Sequence, residues 1–348
     1  MNSLFIDFRD PLFSIIMFFS IVFVIAFISY WWNRYKHNED SKYLDKFLRD
    51  FNAHPSKEDL RVLISGGELS EKSWLLLAQS YIENGNYEKS IEIYNEMLKL
   101  PSRENTTETM FLLGKTYFKA GFLERSKKIF LEILKKKPRT PEALKYLLLV
   151  YEYMKDFKSA KDVLEPLGEL GIDIRLESAY INAMGLLNRL DISQDVKAHA
   201  LLKMYEEQQQ LFYLTYEYLF RINPSFAWNN FDASRSEQLA DLLWGLEAKE
   251  LDLDIISQNG FLREMYSARG DISLASSSDI FEFDVLIGLA GKANATLSFE
   301  YICTNCKQLY PFVFTRCSSC HGLDTSRLEW SLIKNSSKDF SEDNNSFQ

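Results

Sequence analysis

Residues 111–130 read FLLGKTYFKAGFLERSKKIF, and this stretch belongs to the second of three similar copies between residues 70 and 170. Trp74, Met110 and Leu144 occupy the same position, so the copies are offset by 36 and then 34 residues. The matched sets are Trp74, Leu77, Ala78, Tyr81, Gly85, Ser90 and Tyr94; Met110, Leu113, Gly114, Tyr117, Gly121, Ser126 and Phe130; and Leu144, Leu147, Leu148, Tyr151, Lys155, Ala160 and Leu164. The spacing predicts two short helices per copy, with the small residues where the helices cross.

This period and pattern are typical of the tetratricopeptide repeat, in which two antiparallel helices form each copy. We assign it to residues 70–170, with Pro101 and Pro138 near the ends of the first two copies. Such repeats stack into a superhelix whose groove binds a peptide or a helix of a partner protein. A pure spacer is the alternative. The fold class is therefore all-α, with one exception near the C-terminus.

The exception is a cysteine cluster in residues 299–334, which we interpret as a small β module of zinc-ribbon or rubredoxin-like type. Cys303, Cys306, Cys317 and Cys320 read C-x2-C-x10-C-x2-C, and the chain has no other cysteine. Each C-x2-C turn directs two sulfurs to one point, so the four thiolates predict a metal site. Four sulfur ligands leave no open position for water, which predicts a structural zinc ion.

Apolar residues alternate with polar ones on both sides of the second cysteine pair. This alternation predicts short strands whose apolar sides cover the metal, at Tyr310, Phe312 and Phe314 and at Leu328, Trp330 and Leu332. A module of this size has too small a core to fold alone, so the metal would supply the folding energy.

Three other interpretations of the cluster compete with zinc. Residues 317–321 read C-S-S-C-H, which is formally the attachment motif of a c-type haem, although haem would leave Cys303 and Cys306 unexplained. A rubredoxin-like iron ion uses the same four thiolates, and the spacing leaves it open. A dithiol redox pair is the third alternative, but two pairs at this spacing favour a metal. We expect His321 to be a surface neighbour of the metal turn.

Residues 12–32 form a stretch of 21 residues without a charged side chain, LFSIIMFFSIVFVIAFISYWW. A helix of this length spans about 30 Å, which matches the hydrocarbon core of a bilayer. A cleaved signal peptide is the alternative, but the apolar run is long for one. Cations follow the span and are scarce before it, which places residues 1–11 outside the cytoplasm and the bulk of the chain inside it. The sequence therefore predicts a single-pass membrane protein.

The remaining segments give weaker signals. Residues 33–69 are interpreted as a helical connector, residues 171–298 as degenerate helical repeats or a bundle, and residues 335–348 as a disordered tail. Within 171–298 the spacing predicts helices at Leu176–Leu187 and Leu239–Leu246, the second capped by Ser234 or Ser236. The aromatic-rich segment 212–231 is expected to be core rather than a partner-binding patch.

Charge and motifs narrow the class of function. The net charge of −9 argues against nucleic acid as a partner, because phosphate binding needs a basic surface. The sequence contains no phosphate-binding loop, nucleophile elbow or H-E-x-x-H motif. We therefore expect no enzymatic activity and no catalytic or cofactor-binding residues beyond the metal ligands.

The order of membrane span, repeats around residues 111–130 and YICTNC…RCSSC (residues 301–320) resembles the lipopolysaccharide assembly protein B family. That resemblance implies a regulatory adaptor in the bacterial inner membrane, with residues 1–11 in the periplasm and the bulk of the chain facing the cytoplasm. Such an adaptor links the lipid A deacetylase to a membrane protease. The resemblance also implies a rubredoxin-like module that packs against the repeats. An assembly scaffold for another envelope machine, in secretion or motility, is the alternative function. A redox enzyme that uses the thiolates is a third.

Overall fold

A computed structural model describes residues 17, 20–24, 27–28, 61–64, 70–100, 106–289 and 295–334. It is mostly helical, with a small three-stranded sheet near the C-terminus. The chain divides into two compact units, residues 1–154 and residues 155–348.

The first unit is built from consecutive helices, each packed against the next in the chain. Their bounds are α1 Glu71–Glu83, α2 Tyr87–Leu98, α3 Thr106–Lys119, α4 Leu123–Lys136 and α5 Pro141–Tyr153. Gly85 and Gly121, in the turns before α2 and α4, have φ angles of 74° and 78°. Left-handed φ angles favour glycine, which explains why the first two copies of the repeat have glycine at this position.

The small residues of the repeat lie where helices pack closely, as the sequence predicts. A Cβ atom on Gly114 of α3 would lie 2.9 Å from two ring atoms of Phe130 on α4. The Ser126 hydroxyl donates a hydrogen bond of 2.8 Å to the Gly114 carbonyl. Phe130 and Ser126 are fully buried, so this crossing belongs to the core of the unit.

The second unit begins with more helices and ends in the sheet. Its α-helices are α6 Phe157–Glu169, α7 Arg175–Asn188, α8 Gln194–Glu207, α9 Phe212–Ile222, α10 Pro224–Asn229, α11 Ala240–Trp244, α12 Leu253–Gln258, α13 Gly260–Arg269 and α14 Phe281–Leu289. Short 3₁₀ helices cover Gln209–Leu211, Ala233–Leu239 and Ala248–Glu250.

Two predictions within residues 171–298 can be compared with these elements. The helix at Leu176–Leu187 is confirmed by α7. The helix at Leu239–Leu246 is wrong in its bounds, because a 3₁₀ helix ends at Leu239 and α11 covers only Ala240–Trp244. The prediction that Ser234 or Ser236 caps this helix is also wrong. The 3₁₀ helix is capped by Asp232, whose side chain accepts a hydrogen bond from the Ser234 amide, and α11 has no side-chain cap.

The aromatic segment 212–231 is core, as predicted. Phe212, Tyr216, Phe220 and Trp228 each expose 2% or less of their surface. Their rings pack on one another and on Phe231 at centroid distances of 4.9 to 6.3 Å. This aromatic cluster is the hydrophobic centre of the second unit.

The sheet has the order β2-β1-β3, with both neighbours antiparallel to β1. Its strands are β1 Ala295–Cys303, β2 Leu309–Tyr310 and β3 Ser326–Lys334. β3 confirms the alternation predicted around Trp330. The strand predicted through Phe312 and Phe314 is wrong, because β2 ends at Tyr310 and Phe312 is 79% exposed.

Several predicted segments lie wholly or mostly outside the described residues. They are the membrane span 12–32, the N-terminus 1–11, the connector 33–69 and the tail 335–348. Within the part of the chain that is described, no helix combines the length and the apolar character needed to cross a bilayer.

We expect Gly114→Ala to destabilise the first unit by about 1–2 kcal/mol, because the added methyl group overpacks the contact with Phe130. Urea unfolding followed by circular dichroism measures this change. Gly288→Ala is the matched control, since a Cβ atom there meets no atom within 4 Å. The helix propensity of alanine should make that variant neutral or more stable by about 0.5–1 kcal/mol. A stabilising Gly114→Ala would contradict the close crossing.

Candidate metal centre

The two C-x2-C turns share one backbone conformation. The amide of Lys307 donates to the Cys303 carbonyl, and the amide of His321 donates to the Cys317 carbonyl, each at 2.8 Å. Lys307 and His321 both adopt left-handed φ angles, of 63° and 61°. Two equivalent turns therefore face each other, the first at the end of β1 and the second before β3.

The sulfur atoms of the four cysteines lie close together, so the predicted cysteine cluster is confirmed. The sulfurs of Cys303 and Cys320 are 3.6 Å apart, as are those of Cys306 and Cys317. All four Sγ atoms lie within 4.8 Å of one another. Thiolates about 2.3 Å from a tetrahedral metal ion would be roughly 3.8 Å apart, so these residues fit one bound ion.

The two buried cysteines each have a hydroxyl group beside their sulfur. Burial raises the pKa of the Cys303 thiol, but the hydrogen bond that its sulfur accepts from the Cys306 amide and its hydrogen bond with the Thr325 hydroxyl outweigh burial and lower the pKa to about 6. Burial also raises the pKa of the Cys317 thiol, but hydrogen bonds outweigh it, so the net effect is a lowered pKa. One of these hydrogen bonds involves the Tyr310 hydroxyl, which lies 3.2 Å from the Cys317 sulfur. Both environments favour the thiolate, which is the form that binds a metal.

Tyr310 is held in place by two serines of the second turn. Its hydroxyl lies 2.8 Å from the Ser319 Oγ atom and 3.3 Å from the Ser318 Oγ atom. The Tyr310 ring packs edge-on against Phe314 at 4.7 Å. At Tyr310 the predicted apolar cover is therefore replaced by a hydroxyl group that lies beside the Cys317 sulfur.

Arg316, next to Cys317, joins residues 299–334, the candidate metal module, to helix α7. Its guanidinium donates to both carboxylate oxygens of Glu177, at 2.6 and 3.2 Å, and to the His321 carbonyl at 2.9 Å. The same guanidinium lies over the ring of Tyr180, 5.1 Å from its centroid. Only 6% of the Arg316 side chain is exposed. A buried bidentate ion pair of this kind fixes position and orientation together.

A second polar contact joins β1 to the helices. The hydroxyls of Tyr301 in β1 and Tyr213 in α9 both donate to the same oxygen of Asp241, at 2.5 and 2.6 Å. Burial and the Asp241 carboxylate raise the pKa of both tyrosines. Both phenols therefore stay protonated and keep their donor role at neutral pH.

Aromatic rings complete this junction. Trp330 of β3 stacks on Phe283 at 6.1 Å and packs on Phe261 at 6.3 Å. Phe299 of β1 packs against Trp244 at 6.5 Å. The apolar side of the sheet thus covers helices and not the metal, contrary to the prediction. The module and the helices from α6 onward form one unit.

The first unit carries a cleft of about 570 Å³ between α2 and the turn that precedes α4. Ile91 and Tyr117 lie along it together with Phe122, and Arg125 stands at its edge. The remaining lining residues are polar or charged: Glu88, Glu92, Asn95, Glu96 and Lys99. In the sequence, the repeat pattern covers these cleft residues, but no motif marks them as a binding site.

Comparison with known proteins supports the assignment of the repeats. The tetratricopeptide repeat family pattern matches residues 71–103. The chain contains a tetratricopeptide repeat. None of the curated proteins matches the sequence.

Two solved structures are similar to parts of the chain. MamA 41-end from Desulfovibrio magneticus RS-1 is 19% identical over 46% of this chain and 90% of its own, with a TM-score of 0.35. A tetratricopeptide repeat protein from Parabacteroides merdae ATCC 43184 is 15% identical over 73% of this chain and 98% of its own, with a TM-score of 0.39.

We expect Arg316→Ala to destabilise the second unit by about 2–4 kcal/mol, because it leaves the partly buried Glu177 carboxylate without its partner. Chemical denaturation followed by tryptophan fluorescence measures this loss. Arg327→Ala is the matched control on the same module, since Arg327 is 62% exposed and pairs with an exposed Glu329. That exposed pair should contribute less than about 1 kcal/mol. Equal effects of the two variants would show that the Arg316 contact does not hold the module in place.

Proposed function

We propose that this protein is a regulatory adaptor that binds other proteins through its helical repeats. The observation that carries the proposal is the cleft in the first unit, where the exposed Phe122 and Arg125 lie beside the buried side chains of Ile91 and Tyr117. Repeats of this type supply binding surfaces rather than reactive groups. Arg316 and Tyr301 hold the metal module against the helices of the second unit.

The proposed metal is zinc in a structural role. Four thiolates provide a closed tetrahedral site, and the hydroxyls of Tyr310 and Thr325 lie beside the two buried sulfurs. Iron in the same site would give a rubredoxin-like centre and is the alternative.

The proposed location is the bacterial inner membrane, with the bulk of the chain in the cytoplasm. The uncharged run at residues 12–32 and the cations that follow it support this placement. Zinc thiolates are compatible with a reducing compartment.

The proposed process is the control of lipopolysaccharide synthesis, by linking the lipid A deacetylase to a membrane protease. Its support is the resemblance of the chain in the order of apolar segment, repeats and tetracysteine module. A scaffold for another envelope assembly would use the same surfaces with other partners.

Elemental analysis of the full-length protein, purified from its native membrane, should give about one zinc ion per chain. Cys303→Ser should abolish the bound metal and destabilise the second unit, because structural zinc contributes on the order of 10 kcal/mol of binding energy. The helices of the first unit should remain folded. Ser318→Ala, which changes the same module but removes no ligand, should keep the metal. Iron or covalent haem in the wild-type protein would refute the zinc assignment.

Crosslinked capture of the full-length protein from its own membranes should recover a membrane protease together with the lipid A deacetylase. Deletion of this protein should raise the level of the deacetylase, because the protease would no longer be linked to the deacetylase that it degrades. Recovery of a different envelope complex, with the deacetylase unchanged, would replace this process by the scaffold alternative while leaving protein binding intact.

A further inference from the structure

The three repeat copies begin their second helices with one backbone conformation. The residue before each helix has nearly the same φ and ψ: −88° and 69° at Asn86, −80° and 63° at Phe122, and −86° and 70° at Asp156. In each copy the preceding residue is left-handed: Gly85, Gly121 and Lys155. The position is thus equivalent in all three copies, and only the side chain differs.

Two of the three copies cap the helix with a side chain and the middle copy does not. The Asn86 side chain accepts a hydrogen bond of 3.3 Å from the backbone amide of Lys89. The Asp156 side chain accepts one of 3.1 Å from the backbone amide of Ser159. Phe122 offers no acceptor, and α4 has no side-chain cap. Since a capping side chain stabilises a helix, phenylalanine at this position lowers stability. Natural proteins break local rules of this kind mainly at functional sites.

Phe122 is 42% exposed and lines the cleft of the first unit. Its ring packs edge-on against Tyr117 at 6.3 Å. The guanidinium of Arg125 lies over both rings, 5.2 Å from the centroid of Phe122 and 5.9 Å from that of Tyr117. Stacking of this kind restricts the arginine while leaving its N–H donors free to bind a planar anion.

The charge of Arg125 is not neutralised within the described part of the chain. Its neighbour Glu124 pairs with Lys127 at 2.7 Å, and no described carboxylate forms an ion pair with Arg125. Arg125 also lies in the first turn of α4, where the helix dipole disfavours a cation.

The acidic wall of the cleft is better compensated. Glu96 pairs with Lys99 at 2.5 Å, and Glu92 pairs with Lys89 at 3.3 Å. Glu88 lies in the first turn of α2, where the dipole favours an anion. Among the described residues of this cleft, Arg125 is therefore the charge that neither an ion pair nor a helix dipole compensates.

We propose that the cleft binds a segment of a partner protein in which an Asp or Glu carboxylate lies next to an apolar side chain. The carboxylate of the segment accepts hydrogen bonds from two N–H groups of Arg125. The apolar side chain of the segment packs on Phe122 and Tyr117. This inference deepens the proposed adaptor function and rests on it. It specifies the chemistry of the segment that the repeats recognise.

A peptide array tests the proposal with the full-length protein. The probe is a library of dodecamer peptides, each printed in two forms that differ only by Glu→Gln at one position beside an aromatic or aliphatic residue. We expect wild-type protein to bind the Glu form at least about tenfold more strongly than the Gln form, as for a charge-assisted bidentate contact.

Three variants separate the contributions of the cleft. Arg125→Gln should abolish the preference for Glu, whereas Arg139→Gln, which removes another exposed arginine of the same unit, should keep it. Phe122→Asn restores the cap present at Asn86, so it should raise the melting temperature and at the same time weaken peptide binding. A merely structural Phe122 would give higher stability with unchanged binding.

Each other outcome counts against the proposal. Preference for basic peptides that is lost in Glu88→Gln would assign the cleft to a cation. Peptide binding that Arg125→Gln and Phe122→Asn leave unchanged would place the protein-binding surface elsewhere and preserve the adaptor function. Absence of binding to every peptide, together with capture of no protein from native membranes, would overturn both.

Discussion

The helical part of this protein depends on how the chain reverses between two helices of a repeat. A left-handed residue followed by a residue near φ −85° and ψ 65° makes the reversal in all three copies. Because the turn is short, the helices that follow must pack closely, and Gly114 against Phe130 meets that demand. Lys155 makes the third turn without glycine, so the backbone geometry constrains the repeat more than the identity of the residue does.

A different constraint shapes the C-terminal module. Four thiolates around a divalent ion carry a net negative charge, and the segment from 301 to 323 contains no acidic residue. Lys307 and Arg316 are its cations, and hydroxyl groups lie beside the two buried sulfurs. Since the sheet turns its large apolar rings toward the helices, the module has no separate core. The proposed metal and the contacts with the helices would therefore stabilise the module together.

The sequence predicted the repeats and the cysteine cluster well because both depend on local spacing. Periods near 34 residues and C-x2-C turns are visible without knowing which distant residues meet. The contacts that dock the module could not be predicted in this way. Arg316 pairs with Glu177, 139 positions away, and Tyr301 meets Asp241 across 60 positions. Phe312 was misassigned because alternation over few residues does not distinguish a strand from an exposed loop.

Arginines stacked on aromatic rings recur in this chain, and their differences are informative. Arg316 over Tyr180 is completed by the Glu177 carboxylate, and Arg269 over Tyr266 is completed by Asp271. Both side chains are largely buried, so their charges require a partner within the fold. Arg125 has the same aromatic support but is exposed, and it forms no ion pair with a carboxylate among the described residues. The protein thus contains its own examples of the completed arrangement, and the carboxylate of the proposed partner segment would complete it at Arg125.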